Sequence, residues 1–244
     1  QNGEDGTVQG LCALAGIPVA GCGVLASALC MDKDRAHRLV AAAGIPAPRA
    51  VTLTQSYDRA TVATQAAELG YPLFVKPVRA GSSFGVAKVR RPSDLFAAVD
   101  HAFYYDDHVM LEAQIPGFEV GCAVLGSDAP LTGVPDEIEL QGDLFDFQEK
   151  YHLTTSKIHI PARITPEQTA AVQKTARRVY QILGCSGFAR VDLFLTPEGR
   201  IIFHEVNTIP GFTPHSRFPS MMQAAGLSFR EVLSRILDAA LEEA

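Results

Sequence analysis

Several absences narrow the class of this chain before any motif is read. Its five cysteines, Cys12, Cys22, Cys30, Cys122 and Cys185, are odd in number and scattered, with no Cys-x-x-Cys pair and no zinc-like spacing. They read as reduced thiols of a cytoplasmic protein, and the seven histidines add no ligand cluster, so a redox or metal-storage role has no support. Positive charge is scarce. Lys and Arg number 21 against 27 Asp and Glu, a net charge of -6, which argues against a nucleic-acid partner and obliges any anionic substrate to find local positive charge. There is no internal repeat and no low-complexity tract. Residues 11–30 carry no charge over a bilayer-spanning length, but Gly16, Pro18, Gly21 and Gly23 break that run. A helix end, a short strand and a turn are expected there, with no membrane association.

What is present is an ordinary globular composition, 47% hydrophobic and 20% charged over 244 residues, enough for one large domain or two small ones. The chain begins at Gln1, and the abrupt Gly3-Glu-Asp-Gly6 leads us to expect that an N-terminal part is missing. Helical spacing over residues 31–43 ends at Gly44-Ile-Pro46. Tyr71-Pro-Leu-Phe-Val-Lys-Pro77 reads as a buried strand, followed by a Gly-Ser loop and a second strand over 86–89. Ser93 is expected to cap a helix reaching 102, and strands are expected at 109–113, 120–124 and 136–140. Residues 141–157, polar and aromatic without a period, are a candidate active-site loop. Thr165-Pro-Glu-Gln168 opens a long helix to 183. Strands over 188–194 and 200–205 form a hairpin through Thr196-Pro-Glu-Gly199, and an amphipathic helix runs over 228–241. These elements make an α+β chain.

Two patterns carry chemistry. Arg190-Val-Asp192 and Glu205-Val-Asn207 lie on adjacent strands, and in each pair both polar residues share one face because side chains alternate. An arginine, two carboxylates and an amide are thereby clustered, a hard oxygen set suited to magnesium with phosphate oxygens completing its shell. The competing reading is a pair of solvated strand faces with ordinary salt bridges. The second pattern is Gly81-Ser-Ser-Phe-Gly85 preceded by Lys76, whose glycines permit positive φ and whose amides could wrap a phosphate. It is neither a P-loop nor a Rossmann fingerprint, and structural turns of this composition are common.

The series Glu4-Asp-Gly6 with Gln9-Gly10, Met31-Asp-Lys33, Val75-Lys-Pro77, Gly81-Ser-Ser-Phe-Gly85, Gly117-Phe-Glu-Val120, Glu149-Lys-Tyr151, Ala189-Arg-Val-Asp192, Glu205-Val-Asn207 and Pro210-Gly-Phe-Thr213 resembles, in order and over essentially the whole chain, the D-alanine:D-alanine ligase family of the ATP-grasp superfamily. The resemblance implies an ATP-grasp fold, two α+β subdomains gripping ATP, with the N-terminal α/β domain largely missing: a remnant at 1–30, a central subdomain at 31–115 and a catalytic subdomain at 116–244. It implies ATP binding by Lys33, Lys76, Glu112, Ala113, Ile115, Glu119, Lys150 and Phe194. Two magnesium ions, or manganese, would be held by Asp192, Glu205 and Asn207. Ser82, Tyr151, Arg190 and Gly211 would serve catalysis, with Ser82 linked to the 141–157 lid through Tyr151. Relatives are commonly dimers, so a homodimer is expected of the full-length protein.

Chemistry makes that activity intelligible. A carboxylate is a poor acylating agent, so ATP first converts D-alanine to an acyl phosphate and the amine of a second substrate then attacks it, behind a lid that excludes water. Ser216 and Arg217 are expected at the second-substrate site. Arg217 stands where housekeeping ligases usually have leucine, while Lys150-Tyr151 stands where D-lactate-adding ligases have a histidine. This combination resembles D-alanine:D-serine ligases of the vancomycin-resistance type, with D-alanine as the alternative second substrate. Arg217 could hydrogen-bond a serine hydroxyl, or it could be a surface arginine pairing with a phosphate or carboxylate.

Overall fold

The computed structural model describes residues 3–139 and 157–242. Helices α1 (Thr7–Leu14) and α2 (Val24–Met31) open the chain. The short strand expected between them does not form. Residues 15–20 are largely exposed, and Gly21 and Cys22 lie against Ser186 and Gly187 just before β9 without forming a ladder with them. The helix expected from residue 31 begins instead at α3 (Lys33–Ala42), because Asp32 is extended and its carboxylate accepts from the Arg35 N–H at 3.0 Å, capping the helix.

A four-stranded antiparallel sheet follows, ordered β1 (Ala50–Thr54), β4 (His108–Ala113), β2 (Leu73–Pro77) and β3 (Ala87–Val89). Helices α4 (Arg59–Leu69) and α5 (Leu95–Phe103) cover it with a core of Val62, Ala66, Leu73, Val75, Leu95, Val99 and Leu111. Ser93 does not cap α5. Its hydroxyl donates to Asp94 at 2.9 Å within a 3-10 turn, Pro92–Asp94, that precedes the helix.

The second sheet is larger, with the order β10 (Ile201–Asn207), β9 (Phe188–Leu195), β5 (Phe118–Leu125), β7 (Asp136–Glu139) and β8 (Lys157–His159), and β6 (Leu131–Thr132) beside β5. Helix α6 (Pro166–Ile182) starts with a full capping box. Thr165 Oγ accepts from the Gln168 N–H at 3.2 Å, and Gln168 Oε1 accepts from the Thr165 N–H at 3.0 Å. Val172, Ala176, Val179 and Tyr180 of α6 pack on one sheet face, joined there by Ala26 and Cys30 of α2 and by Ala36 and Val40 of α3. Among the described residues the other face is covered at one end, where Ala123, Leu125 and Phe188 meet α7 (Arg217–Ala224) and α8 (Phe229–Glu242). Its remainder faces the small sheet. Among the described residues no helix is long and apolar enough to cross a membrane.

Candidate active site

The part of this sheet face beyond α7 and α8 is polar by sequence. In β9 and β10, Asp192 stands opposite Glu205 and Arg190 opposite Asn207. A bulge at His204 makes this possible. Phe203 points into the core at 0% exposure, and strict alternation would send Glu205 after it, so the extra residue turns Glu205 and Asn207 to the cleft. The two carboxylates and the amide expected as metal ligands therefore share one face: the spacing pairs Arg190 with Asp192 and Glu205 with Asn207, and the bulge brings the two pairs together.

Asp192 is 1% exposed and heavily paired. Arg190 donates to both its oxygens, at 2.8 and 3.1 Å from Nε and 2.8 Å from Nη2, and Arg217 Nη2 lies 3.5 Å from Oδ1. Burial raises the Asp192 carboxyl, but these guanidinium groups outweigh it and hold the carboxyl below its ordinary range. Asn207 Oδ1 accepts from the Ile209 N–H at 3.1 Å, so its carbonyl oxygen is already oriented. Three hard oxygen donors, two of them anionic, fit a magnesium site by chemistry.

Lys33, at the start of α3, reaches across this edge. Its Nζ donates to the Ala80 carbonyl at 3.1 Å and lies 3.5 Å from Glu205 Oε2, joining the Gly-Ser loop to the metal-type cluster. From the small sheet, Lys76 on β2 and Glu112 on β4 form a buried pair at 2.7 Å, with side chains 5% and 4% exposed. Burial raises Glu112, yet the Lys76 ammonium pulls its carboxyl below the usual range. His37 of α3 completes the bridge. Its Nε2 donates to the His204 carbonyl at 2.8 Å, on the bulge itself, and its Nδ1 is 3.8 Å from Glu112. Burial lowers the His37 pKa, and the proton sits on Nε2 because the His204 carbonyl can only accept.

The remaining expected residues fall around this core. Phe194 lies opposite Glu119 in the β9–β5 register, and its ring sits 4.6 Å from that of His204. Ala113 ends β4, its N–H donating to the Arg49 carbonyl at 2.9 Å, and Ile115 is half-buried in the connection to β5. Ser82 and Ser83 both have positive φ, 52° and 58°, in the loop after β2. Gly211 approaches Ser216, where a β-carbon would stand 3.0 Å from Oγ; that hydroxyl also accepts from the Thr213 N–H at 3.0 Å. Lys150, Tyr151 and nearly all of the lid segment lie outside the described residues.

Arg217 is not a surface residue. Its side chain is 11% exposed and grips Asp136, from Nε at 2.6 Å and Nη2 at 2.8 Å, while Nη1 lies 3.4 Å from Glu119. Gly121 must be glycine for this to happen, since a β-carbon there would strike the Arg217 guanidinium and stand 2.6 Å from Asp136 Oδ1. Asp136, 0% exposed, also accepts from the Gly121 N–H at 2.9 Å.

Sequence spacing did not single out Asp136, His37, His204 or Glu4. Asp136 carries a usable signal, an aspartate in the same register as the buried Ile138, which demands a buried cation. Glu4 comes from the start of the chain to lie near Gly81, its carboxyl raised by burial and by the Glu205 charge against the pull of Arg190 and Lys33.

Comparison with known proteins agrees with this geometry. Residues 39–238 match the family described as D-ala D-ala ligase C-terminus. D-alanine--D-alanine ligase A of Chromobacterium violaceum is 45% identical over 99% of this chain, and the chain spans 66% of that relative's length. The crystal structure of VanG D-Ala:D-Ser ligase from Enterococcus faecalis superposes with a TM-score of 0.92 at 56% identity, covering 98% of this chain and 70% of that one. D-alanine--D-alanine ligase from Bacillus anthracis, solved with ATP, superposes at 0.85 with 30% identity, over 99% of this chain and 76% of its own. With its two facing α+β units, the chain belongs to the D-alanine:D-alanine ligase family and has the ATP-grasp fold.

Proposed function

We propose that this chain carries the ATP-dependent step that joins D-alanine to a second D-amino acid through a D-alanyl phosphate, supplying the terminus of a peptidoglycan precursor. The observation that carries this reading is the convergence of Lys33 and Lys76 with the Asp192, Glu205, Asn207 and Arg190 face at one cleft between the sheets. Phosphoryl transfer asks for little beyond placement and charge neutralisation, and the side chains of this cleft offer the placement. Magnesium ions held by Asp192, Glu205 and Asn207 would supply charge neutralisation on the phosphates. Lys76 and Lys33 would orient the phosphate chain, Glu112 and Glu119 the base and ribose end, with Phe194 against the base. Arg190, fixed by Asp192, and Gly211 would serve the oxyanion that develops at the reacting carbon.

For the second substrate we propose D-serine, with D-alanine the alternative. Support comes from the likeness to VanG D-Ala:D-Ser ligase at 56% identity and from Arg217. Because Arg217 is engaged by Asp136, Asp192 and Glu119, its influence is through the shape and charge of that wall rather than as a free surface donor.

Two measurements test the proposal. ADP release should require both D-alanine and magnesium, and release indifferent to D-alanine would refute the ligase reading. In competition at neutral pH, D-serine should outrun D-alanine into product; the reverse order would leave the ligase reading intact and remove the D-serine assignment.

A further inference from the structure

Beyond the cleft itself, one cluster is built around the Gly-Ser loop and has no role in the reading above. Asp106, Asp107 and His108 offer three ligand atoms within 4.8 Å of one another, a grouping that could suit a cation. The cation already among them is Arg79. Asp106, whose side chain is 3% exposed, accepts from the Arg79 backbone N–H at 2.6 Å and from its guanidinium at 2.6 Å (Nη2) and 3.2 Å (Nε). Asp107 accepts from the same Nη2. One buried carboxylate thus fixes both the main chain and the side chain of the residue that leads into the loop, and Ala80, next along, is the carbonyl that Lys33 grips.

The far end of the loop is held by the neighbour of Asp106. Gly85 has φ 72°, and a β-carbon on it would stand 2.6 Å from the Tyr105 ring and 2.8 Å from Pro77, so the Tyr105 ring lies directly against the loop backbone. Phe84 rests on the same ring, with centroids 6.3 Å apart. Between these two anchors sit Ser82 and Ser83, both in the left-handed region, which costs about 1 kcal/mol or more per residue and persists only where the surroundings impose it.

We propose that Asp106, with Tyr105 beside it, is a positioning residue for the loop that faces the nucleotide phosphates: the pair forms a saddle that grips Arg79 at one end and Gly85 at the other. The proposal rests on the ATP-binding reading above. Loss of the Asp106 charge frees the loop entrance, so the Ala80 carbonyl no longer holds Lys33 in register with Glu205. Nothing at the base-binding end of the cleft is touched.

The test compares Asp106→Asn with the unaltered protein by calorimetric titration with MgATP and with adenosine, alongside amide hydrogen exchange of peptides spanning residues 78–86. Adenosine reaches the base end but not the loop. We expect exchange of the loop peptides to accelerate, MgATP binding to weaken about ten-fold, as for loss of one charge-assisted clamp, and adenosine binding to stay within about two-fold. Equal weakening of both ligands, or unchanged MgATP binding, overturns the positioning role. Should Asp106→Asn fail to fold, Tyr105→Leu removes the other anchor and carries the same expectation. If the unaltered protein binds no MgATP, the functional reading fails instead, and unchanged loop exchange in the variant is then what overturns the saddle.

Discussion

Replacing Arg217 by methionine should destabilise the fold through one identifiable residue, Asp136. In the native protein Asp136 is wholly buried and its partners are the Arg217 fork, at 2.6 and 2.8 Å, and the Gly121 N–H at 2.9 Å. Without the guanidinium, a buried carboxylate keeps one backbone hydrogen bond and only the charge of Arg190, which Asp192 already engages. Breaking such a pair from one side costs about 3–5 kcal/mol, whereas replacing both partners by neutral groups of similar size is close to neutral. Asp192 is protected from the same fate because Arg190 still holds both its oxygens. At about 2–4 °C per kcal/mol for a chain of this size, Arg217→Met should lower Tm by roughly 10 °C, and adding Asp136→Asn should restore most of it. The assay is a double-mutant cycle by urea or thermal denaturation, with a coupling energy above about 2 kcal/mol expected. If the two single losses simply add in the double variant, Arg217 and Asp136 are not a unit and the account of this wall is wrong. The stability measurement also guards the specificity experiment, because a change in second-substrate preference in an Arg217 variant means little if the wall has collapsed.

Three further outcomes are expected. Gly121→Ala should be worse than an ordinary strand substitution, losing about 2 kcal/mol or more and disturbing Asp192 with it, since the new methyl displaces the Arg217 guanidinium; a neutral result by denaturation would refute the close approach. Glu112→Gln leaves the Lys76 ammonium buried at 4% exposure without its anion, so stability should fall by about 3 kcal/mol and ATP affinity with it, measurable by denaturation and titration. Burial pushes the His204 pKa down to about 4, while in the unfolded chain it titrates near 6.5. Protonation then favours the unfolded state as pH falls below 6.5, and up to about 3 kcal/mol is lost by pH 4; His204→Leu should flatten that limb of the stability curve, and an unchanged slope between pH 6.5 and 4 would count against a buried neutral ring.

Much of this was legible in the residues because it depended on local rules. The β9–β10 hairpin, the face shared by Arg190 with Asp192 and by Glu205 with Asn207, and the capping box at Thr165 follow from period-two alternation and cap chemistry alone. Helix α4 was hidden because its buried stripe is Val62, Ala66 and Leu69, with the middle position too small to register as a hydrophobic period. Helix α7 was hidden because Phe218, Met221 and Met222 follow a proline-rich turn, and Arg217 at its start looks like a surface charge. Contacts between distant segments left no trace in spacing: His37 reaches the bulge at His204 across 167 residues, and Arg217 reaches Asp136 across 81. Whether a charged residue is paired inside or solvated outside is decided by the tertiary fold, and that decision separates the two readings of Arg217.

The charge balance of the cleft leads to the last expectation. Four cationic side chains, Lys33, Lys76, Arg190 and Arg217, meet six carboxylates there, Glu4, Glu112, Glu119, Asp136, Asp192 and Glu205, so the described residues leave the cleft negative by two. A triphosphate brings several more negative charges into the same space. The lysines and arginines are also spoken for: each lies within ion-pair distance of at least one carboxylate, and the net charge of the chain, -6, offers no long-range help. Divalent ions on Asp192, Glu205 and Asn207 would reverse this, neutralising the carboxylates and releasing Lys33 and Arg190 toward the phosphates. ATP affinity should therefore depend on magnesium far more than on monovalent salt. Titration in EDTA ought to weaken ATP binding by at least about ten-fold, roughly 1.4 kcal/mol, and Asp192→Asn should reduce that dependence. Equal ATP affinity with and without magnesium would mean that the carboxylates of this face are structural partners of the arginines alone, and that the metal set is wrongly assigned.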